Sequence, residues 1–199
     1  MQLGMFEVMP ASPRILAFSG SARKESLNRK FLAVAVEFTR ASGGEVTLID
    51  LNEFALPLYD GDLEDAQGMP ENANKLLTLL AQHDALLIAS PEYNSMITPL
   101  LKNTLDWLSR ADDNPFTGKV AAVISASPGQ YGGSRSLKMA QALLLHLGCH
   151  IVPAQCALPQ AHKAFDAEGK VTDARAEKNL RAAAESLVDT ARKLRSSPA

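Results

Sequence analysis

Three stretches of this sequence hold residue types that could do chemistry. The first is Ser19-Gly20-Ser21-Ala22-Arg23-Lys24-Glu25-Ser26-Leu27-Asn28, between an apolar run and a helical pattern. A helix N-terminus has N–H groups without intrahelical partners and a partial positive charge, so it favours an anion. Ser21, Ser26 and Asn28 add neutral donors, and Arg23 adds a forked cation suited to phosphate oxygens. A polar turn with Ser26 as an ordinary N-cap fits the same spacing, which alone does not choose between the two. Two familiar phosphate loops are excluded. No Gly-Lys-Ser/Thr opens the helix, and the glycine after Gly20 is Gly43, too far for a GxGxxG turn.

The second stretch is Ser90-Pro91-Glu92-Tyr93-Asn94-Ser95-Met96-Ile97-Thr98-Pro99. Tyr93 and Asn94 just beyond a buried strand could set an aromatic face and an amide beside a planar ring. The plain alternative is a surface turn with Tyr93 half buried. The third is Ser125-Ala126-Ser127-Pro128-Gly129-Gln130-Tyr131-Gly132-Gly133-Ser134-Arg135. Gly129, Gly132 and Gly133 would let the backbone come close to a flat ligand. A glycine-rich turn by itself is weak evidence.

Other residues offer less. His146 and His150 are four apart, but Gly148 ends the helix between them and no third ligand is evident. Cys149 and Cys156 have neither CxxC nor zinc spacing, so they read as small apolar residues in a reducing compartment. No Gly-x-Ser-x-Gly elbow occurs.

The elements that must position these stretches alternate regularly. Apolar runs stand at Ile15–Phe18, Val46–Ile49, Ala85–Ala89, Val120–Ile124 and Cys149–Val152, the last ending at Pro153. Helical stripes lie between them: Leu27, Phe31, Val34, Ala35 and Phe38; Ala73, Leu76, Leu77 and Leu80; Leu101, Thr104, Leu105 and Leu108; Leu137, Ala140, Leu144 and Leu147. Thr98-Pro99 reads as an N-cap followed by proline in the first helical position. A last stripe joins Leu180, Ala184, Leu187, Val188, Ala191 and Leu194, while 56–61 reads as irregular. Near-continuous apolar strands alternating with amphipathic helices predict an α/β fold. It would be a three-layer sandwich, a five-stranded parallel sheet in the order 2-1-3-4-5 with helices on both faces. In such sheets ligands sit beyond the carboxyl ends of the strands, which brings all three stretches to one edge.

The chain has 199 residues, 46% of them hydrophobic and 21% charged, with a net charge of −2. This predicts one globular domain over 1–199, with 1–13 as an N-terminal extension. There is no basic excess to suggest nucleic acid, no stretch approaching a membrane span and no secretory pattern at the N-terminus, so the expected location is the cytoplasm.

On these motifs the sequence resembles the NADPH-dependent FMN reductase family, flavodoxin-like enzymes that include quinone, chromate and azo-dye reductases. The resemblance rests on Gly20-Ser21-Ala22-Arg23 with Ser26 and Asn28, on Leu56-Pro57-Leu58-Tyr59-Asp60 and on Pro91-Glu92-Tyr93-Asn94. It continues through Leu101-Lys102-Asn103 with Asp106-Trp107, and Gly129 with Gly132-Gly133. It implies that Ser21, Arg23, Ser26, Leu27 and Asn28 hold the FMN phosphate. Pro91, Glu92, Tyr93, Asn94 and Ser95 would follow the isoalloxazine, largely through backbone, with Ser127, Gly129, Gly132 and Gly133 at its other edge. Lys102, Asn103, Asp106 and Trp107 would pack the helix and position the loop. No catalytic side chain is assigned, because the cofactor carries the hydride chemistry. The implied activity is reduction of quinones, free flavin or similar small electron acceptors by NADPH or NADH, in a homodimer or homotetramer. The departure from the family pattern is Met96 and Pro99, where small residues are usual. A flavodoxin-type electron carrier is the alternative, but such carriers are usually strongly acidic and lack an arginine in the phosphate loop.

Overall fold

Strand β1 (Arg14–Ser19) owes its central place to alternation: Ile15 and Ala17 face one helical layer, Leu16 and Phe18 the other. A computed structural model describes residues 12–196; of the expected extension 1–13, all but Ser12 and Pro13 lie outside the described residues. The chain continues through α1 (Leu27–Ala41), β2 (Glu45–Ile49), α2 (Gly61–Gln67), α3 (Glu71–Ala81), β3 (Ala85–Ala89) and α4 (Pro99–Leu108). It ends with β4 (Val120–Ala126), α5 (Ser134–His146), β5 (His150–Ile151), β6 (Cys156–Leu158) and α6 (Ala174–Ser196).

The strand order is β2-β1-β3-β4-β5, all parallel, as the alternation predicts. Every residue of β3 and β4 is buried, the signature of a sheet covered on both faces. Helices α1 and α6 pack together over one face. The other face is covered by α3, α4 and α5, with Leu76, Leu80, Leu105, Leu137 and Leu144 reaching the core.

Three details differ from expectation. The fifth strand comes in two pieces: after the two residues of β5 the chain turns through Pro153 and rejoins β4 as β6, with Ile124 opposite Cys156. Proline cannot donate to the ladder, so the break falls there. Helix α2 was not expected, although Asp60 caps it by accepting from the Asp62 N–H at 2.9 Å and acidic residues fill its first turn. Leu194 is exposed rather than buried, because the last turn of α6 passes the N-terminal ends of β3 and β4, where Arg195 pairs with Asp84 at 3.0 Å.

Candidate active site

At the C-terminal edge of the sheet the loops after β1, β3 and β4 are tied to one another in pairs. Asn28, on the first turn of α1, joins the first loop to the end of β4. Its Nδ2 donates to the Ala126 carbonyl at 2.7 Å, and its Oδ1 accepts from the Ala126 N–H at 3.0 Å. Thr98 joins the first loop to the third-strand loop, donating through Oγ1 to the Gly20 carbonyl while capping α4. Gly20 has no room for a side chain there: a Cβ would come within 2.8 Å of the Leu101 Cβ. The start of α4, Thr98-Pro99, is therefore packed against the first loop.

The third pair, the loops after β3 and β4, has the most side-chain bonds. Helix α5 starts from Gly133 in the left-handed region, and no side chain of its own caps it. The Glu92 carboxylate supplies the cap across the cleft, its Oε2 accepting from the N–H groups of Arg135 (3.0 Å) and Ser136 (3.2 Å). An anion at a helix N-terminus is favoured by the orphan N–H groups and the macrodipole. Beneath it lie three fully buried serines. Ser136 Oγ donates to the Pro91 carbonyl at 2.7 Å, so the 2.7 Å bond between Ser90 and Ser136 takes its proton from Ser90, and Ser125 donates to the Ser90 carbonyl at 2.8 Å. We expect Glu92→Ala to cost about 1–2 kcal/mol of stability. Glu92→Gln, which keeps one acceptor, should cost less. Urea denaturation of both variants checks this, and a loss below roughly 0.3 kcal/mol for Glu92→Ala would deny the cap.

Two of the glycines expected to approach a ligand are also pressed against the chain itself. A Cβ on Gly133 would stand 2.0 Å from Ser125 Oγ, and one on Gly132 2.7 Å from the carbonyl carbon of Leu158. Both have positive φ, at 82° and 61°. Gly129 differs: its nearest neighbour would be Ser127 Oγ at 3.5 Å, ordinary contact. Ser127 Oγ accepts from the Gly129 N–H, and the backbone of 127–129 bonds to Leu158, Gln160 and Ala161.

Tyr93 and Met96 exchange both backbone hydrogen bonds at 3.0 Å, closing a two-residue turn. Asn94 and Ser95 in it have φ of 51° and 66°, the pattern of a type I′ turn. The turn leaves Tyr93 and Met96 exposed, and Tyr131, joined to Ser95 through Arg135, is exposed near them. The Arg135 guanidinium lies 5.1 Å from the Tyr131 ring centre and donates to Ser95 Oγ at 3.4 Å.

In the first loop, Ser26 caps α1 by accepting from the Arg29 N–H at 3.3 Å, and Ser21 Oγ accepts from the Arg23 N–H at 3.3 Å. Leu27, half buried, leans on the core beneath α1 and α6. The side chains of Arg23 and Lys24 are exposed, and neither makes a hydrogen bond or ion pair among the described residues. A free guanidinium beside an open helix start is a donor set that fits a phosphate. The donor set of this loop therefore fits the phosphate of FMN.

Of the motif Lys102-Asn103 with Asp106-Trp107, Asn103 and Trp107 hold the 57–59 loop. Asn103 accepts from the Tyr59 N–H at 2.8 Å; its Nδ2 and the Trp107 Nε1 both donate to the Pro57 carbonyl, each at 2.8 Å. The Tyr59 ring meets Trp107 edge-on at 5.1 Å. Lys102 and Asp106 pair on the surface at 2.6 Å.

The cysteines are remote from this edge in chemical terms. Both are free and buried, and burial pushes each thiol up to about 12, so neither supplies a thiolate near neutral pH. His146 ends α5 and His150 opens β5, and among the described residues no group of three or more potential ligands could hold a metal. No described helix is long and apolar enough to cross a membrane. Sequence reasoning passed over Arg29 on α1 and Asp50 and Asn52 just after β2, which together brace the first loop; their pairing across the chain leaves no local pattern.

A parallel sheet in this order with its loops gathered at one edge defines a flavodoxin-like α/β protein. The chain belongs to the NADPH-dependent FMN reductase family, whose model matches residues 13–163. It is 33% identical over 183 residues to an NAD(P)H-dependent FMN reductase of Pseudomonas aeruginosa, covering 92% of this chain and 97% of that protein. It is 31% identical to a quinone reductase of Escherichia coli over 139 residues, 70% of this chain and 73% of the other. Among solved structures, the flavoenzyme NAD(P)H:(acceptor) oxidoreductase FerB of Paracoccus denitrificans superposes with a TM-score of 0.79 at 32% identity, over 91% of this chain and 98% of that one.

Proposed function

We propose that this protein binds FMN at the joined loops and uses NADPH or NADH to reduce quinones, free flavin or similar small acceptors. One observation carries the reading: the three loops are braced on one another at the sheet edge, while the Arg23 guanidinium, just before α1, has no partner among the described residues. The named relatives, an NAD(P)H-dependent FMN reductase and a quinone reductase, point the same way.

In this reading Arg23, Ser21, Ser26 and the N–H groups of Leu27 and Asn28 hold the phosphate. Pro91 to Ser95 present backbone to one side of the ring, and Ser127, Gly129, Gly132 and Gly133 to the other. Bound FMN supplies the two-electron chemistry between nicotinamide and acceptor. The chain's own work is orientation. Asn28 and Glu92 spend their side chains on the frame and so fix where the backbone of the loops lies. The exposed Tyr93, Met96 and Tyr131 suit flat organic acceptors better than charged proteins. We take the whole chain as one FMN-binding domain, acting in the cytoplasm as a homodimer or homotetramer and, given its near-neutral charge, without nucleic acid.

The purified protein should be yellow, or turn yellow with FMN, and release FMN rather than FAD on denaturation. Nicotinamide and acceptor should use one open face in turn, giving parallel lines in double-reciprocal plots. A protein that fails to quench FMN fluorescence would end the reading. Intersecting lines, with a ternary complex shown by product inhibition, would end the shared-face mechanism.

A further inference from the structure

We infer that the Asp50–Arg29 ion pair is a clasp that sets the phosphate loop, so that Asp50, an anion, is needed for tight binding of the phosphate. The inference rests on the proposed seat of the FMN phosphate in the first loop. Arg29 Nη2 donates to the Ser21 carbonyl at 3.2 Å and to Asp50 Oδ1 at 2.6 Å. Asp50 Oδ1 also accepts from the Asn52 N–H at 3.0 Å, capping the short turn after β2, and Asn52 Nδ2 donates to the Ala22 carbonyl at 3.3 Å. Two successive carbonyls of the loop are thus drawn to the end of β2.

The consequence follows from peptide geometry. In a trans peptide the C=O and the next N–H point in opposite directions. Holding the Ser21 and Ala22 carbonyls toward β2 turns the N–H groups of Ala22 and Arg23 away from it; the Arg23 N–H meets Ser21 Oγ at 3.3 Å, and the Ala22 N–H has no hydrogen-bond partner among the described residues. Arg29 is anchored at its backbone by Ser26 and at its guanidinium by Asp50, so the clasp has little freedom once formed. Asp50 is a positioning residue; it acts through Arg29 and Asn52.

Plain electrostatics predicts the reverse sign. Removing a carboxylate near a bound phosphate should tighten binding. The test is therefore a titration of apo wild type, Asp50→Ala and Asp50→Asn with FMN and with riboflavin, which lacks the phosphate, read by flavin fluorescence, with a thermal melt of each apo protein. The clasp predicts that Asp50→Ala weakens FMN binding about tenfold and riboflavin binding less than about twofold. Asp50→Asn keeps an acceptor for Arg29 and should retain most of the FMN affinity. Tighter or unchanged FMN binding in Asp50→Ala overturns the inference. So does an equal loss for both flavins, or a melt showing the apo variant unfolded while Asp50→Asn binds no differently from Asp50→Ala. If Arg23→Ala also leaves FMN affinity unchanged and wild type does not prefer FMN over riboflavin, the phosphate seat itself is wrong and the clasp falls with it. A normal Arg23 effect with no Asp50 effect removes the clasp alone.

Discussion

Trp107→Ala should destabilise the protein by about 3–5 kcal/mol, the usual cost of deleting a large buried aromatic. Trp107 is fully buried on the inner face of α4. Its ring supports Tyr59, and its Nε1 is one of two donors on the Pro57 carbonyl. Trp107→Phe weights the second role, since it keeps a six-membered ring and much of the packing while losing the Nε1 donor and the rest of the indole. Asn103 still bonds to Pro57, so Phe should cost much less than Ala, roughly 1–2 kcal/mol. Urea denaturation of the three proteins checks the order. If Ala and Phe lose the same amount, hydrogen bonding rather than packing holds this loop, and the account of α4 is inverted.

The same helix shows what a single sequence makes legible. Thr98-Pro99 and the stripe that follows are local signals, because capping and periodicity involve neighbours in the chain. They placed α4 correctly, with Pro99 in its first turn and Leu101, Thr104, Leu105 and Leu108 buried. Strands β3 and β4 were legible for a related reason: a strand buried on both faces must be apolar throughout. β5 and β6 were not separable, since Cys149 to Leu158 contains both pieces and only the break at Pro153 hints at the split.

The site was legible in composition and much less so in bonding. Gly132 and Gly133 were visible as glycines, yet what requires them is Ser125 and the chain at Leu158, contacts that exist only after folding. Glu92 was visible within Pro-Glu-Tyr-Asn, but its engagement with the start of α5 spans more than forty residues. Asn28 meets Ala126 across 98 residues. Local patterns report the residues that open and close elements. They are silent on which distant backbone group a side chain will satisfy, and here those long-range bonds build the frame.

Arg23→Ala should weaken FMN binding by roughly ten- to a hundredfold, corresponding to about 1.5–3 kcal/mol for a charge-assisted hydrogen bond. The motive is position together with vacancy. Arg23 stands where the first loop enters α1, and its guanidinium has no partner among the described residues, whereas Arg29 is held by Asp50 and Ser21. An arginine left free beside unpaired helix N–H groups is poised for an anion. Lys24 is also exposed and has no side-chain partner among the described residues, so exposure alone cannot separate the two residues. The separation comes from geometry. The Arg23 N–H is fixed by Ser21 Oγ, which holds Arg23 close to the loop's inner turn, while no bond of this kind restrains Lys24. Lys24→Ala should therefore lower affinity by less than about threefold, the size of a screened charge at a distance. The melting temperature of either apo variant should barely move, because neither side chain contributes to the core. The measurement is a titration of apo wild type, Arg23→Ala and Lys24→Ala with FMN, at low and at moderate salt. Equal affinities for wild type and Arg23→Ala would return Arg23 to an ordinary surface turn. A larger loss in Lys24→Ala than in Arg23→Ala would place the phosphate one residue further along, nearer the capping serine of α1.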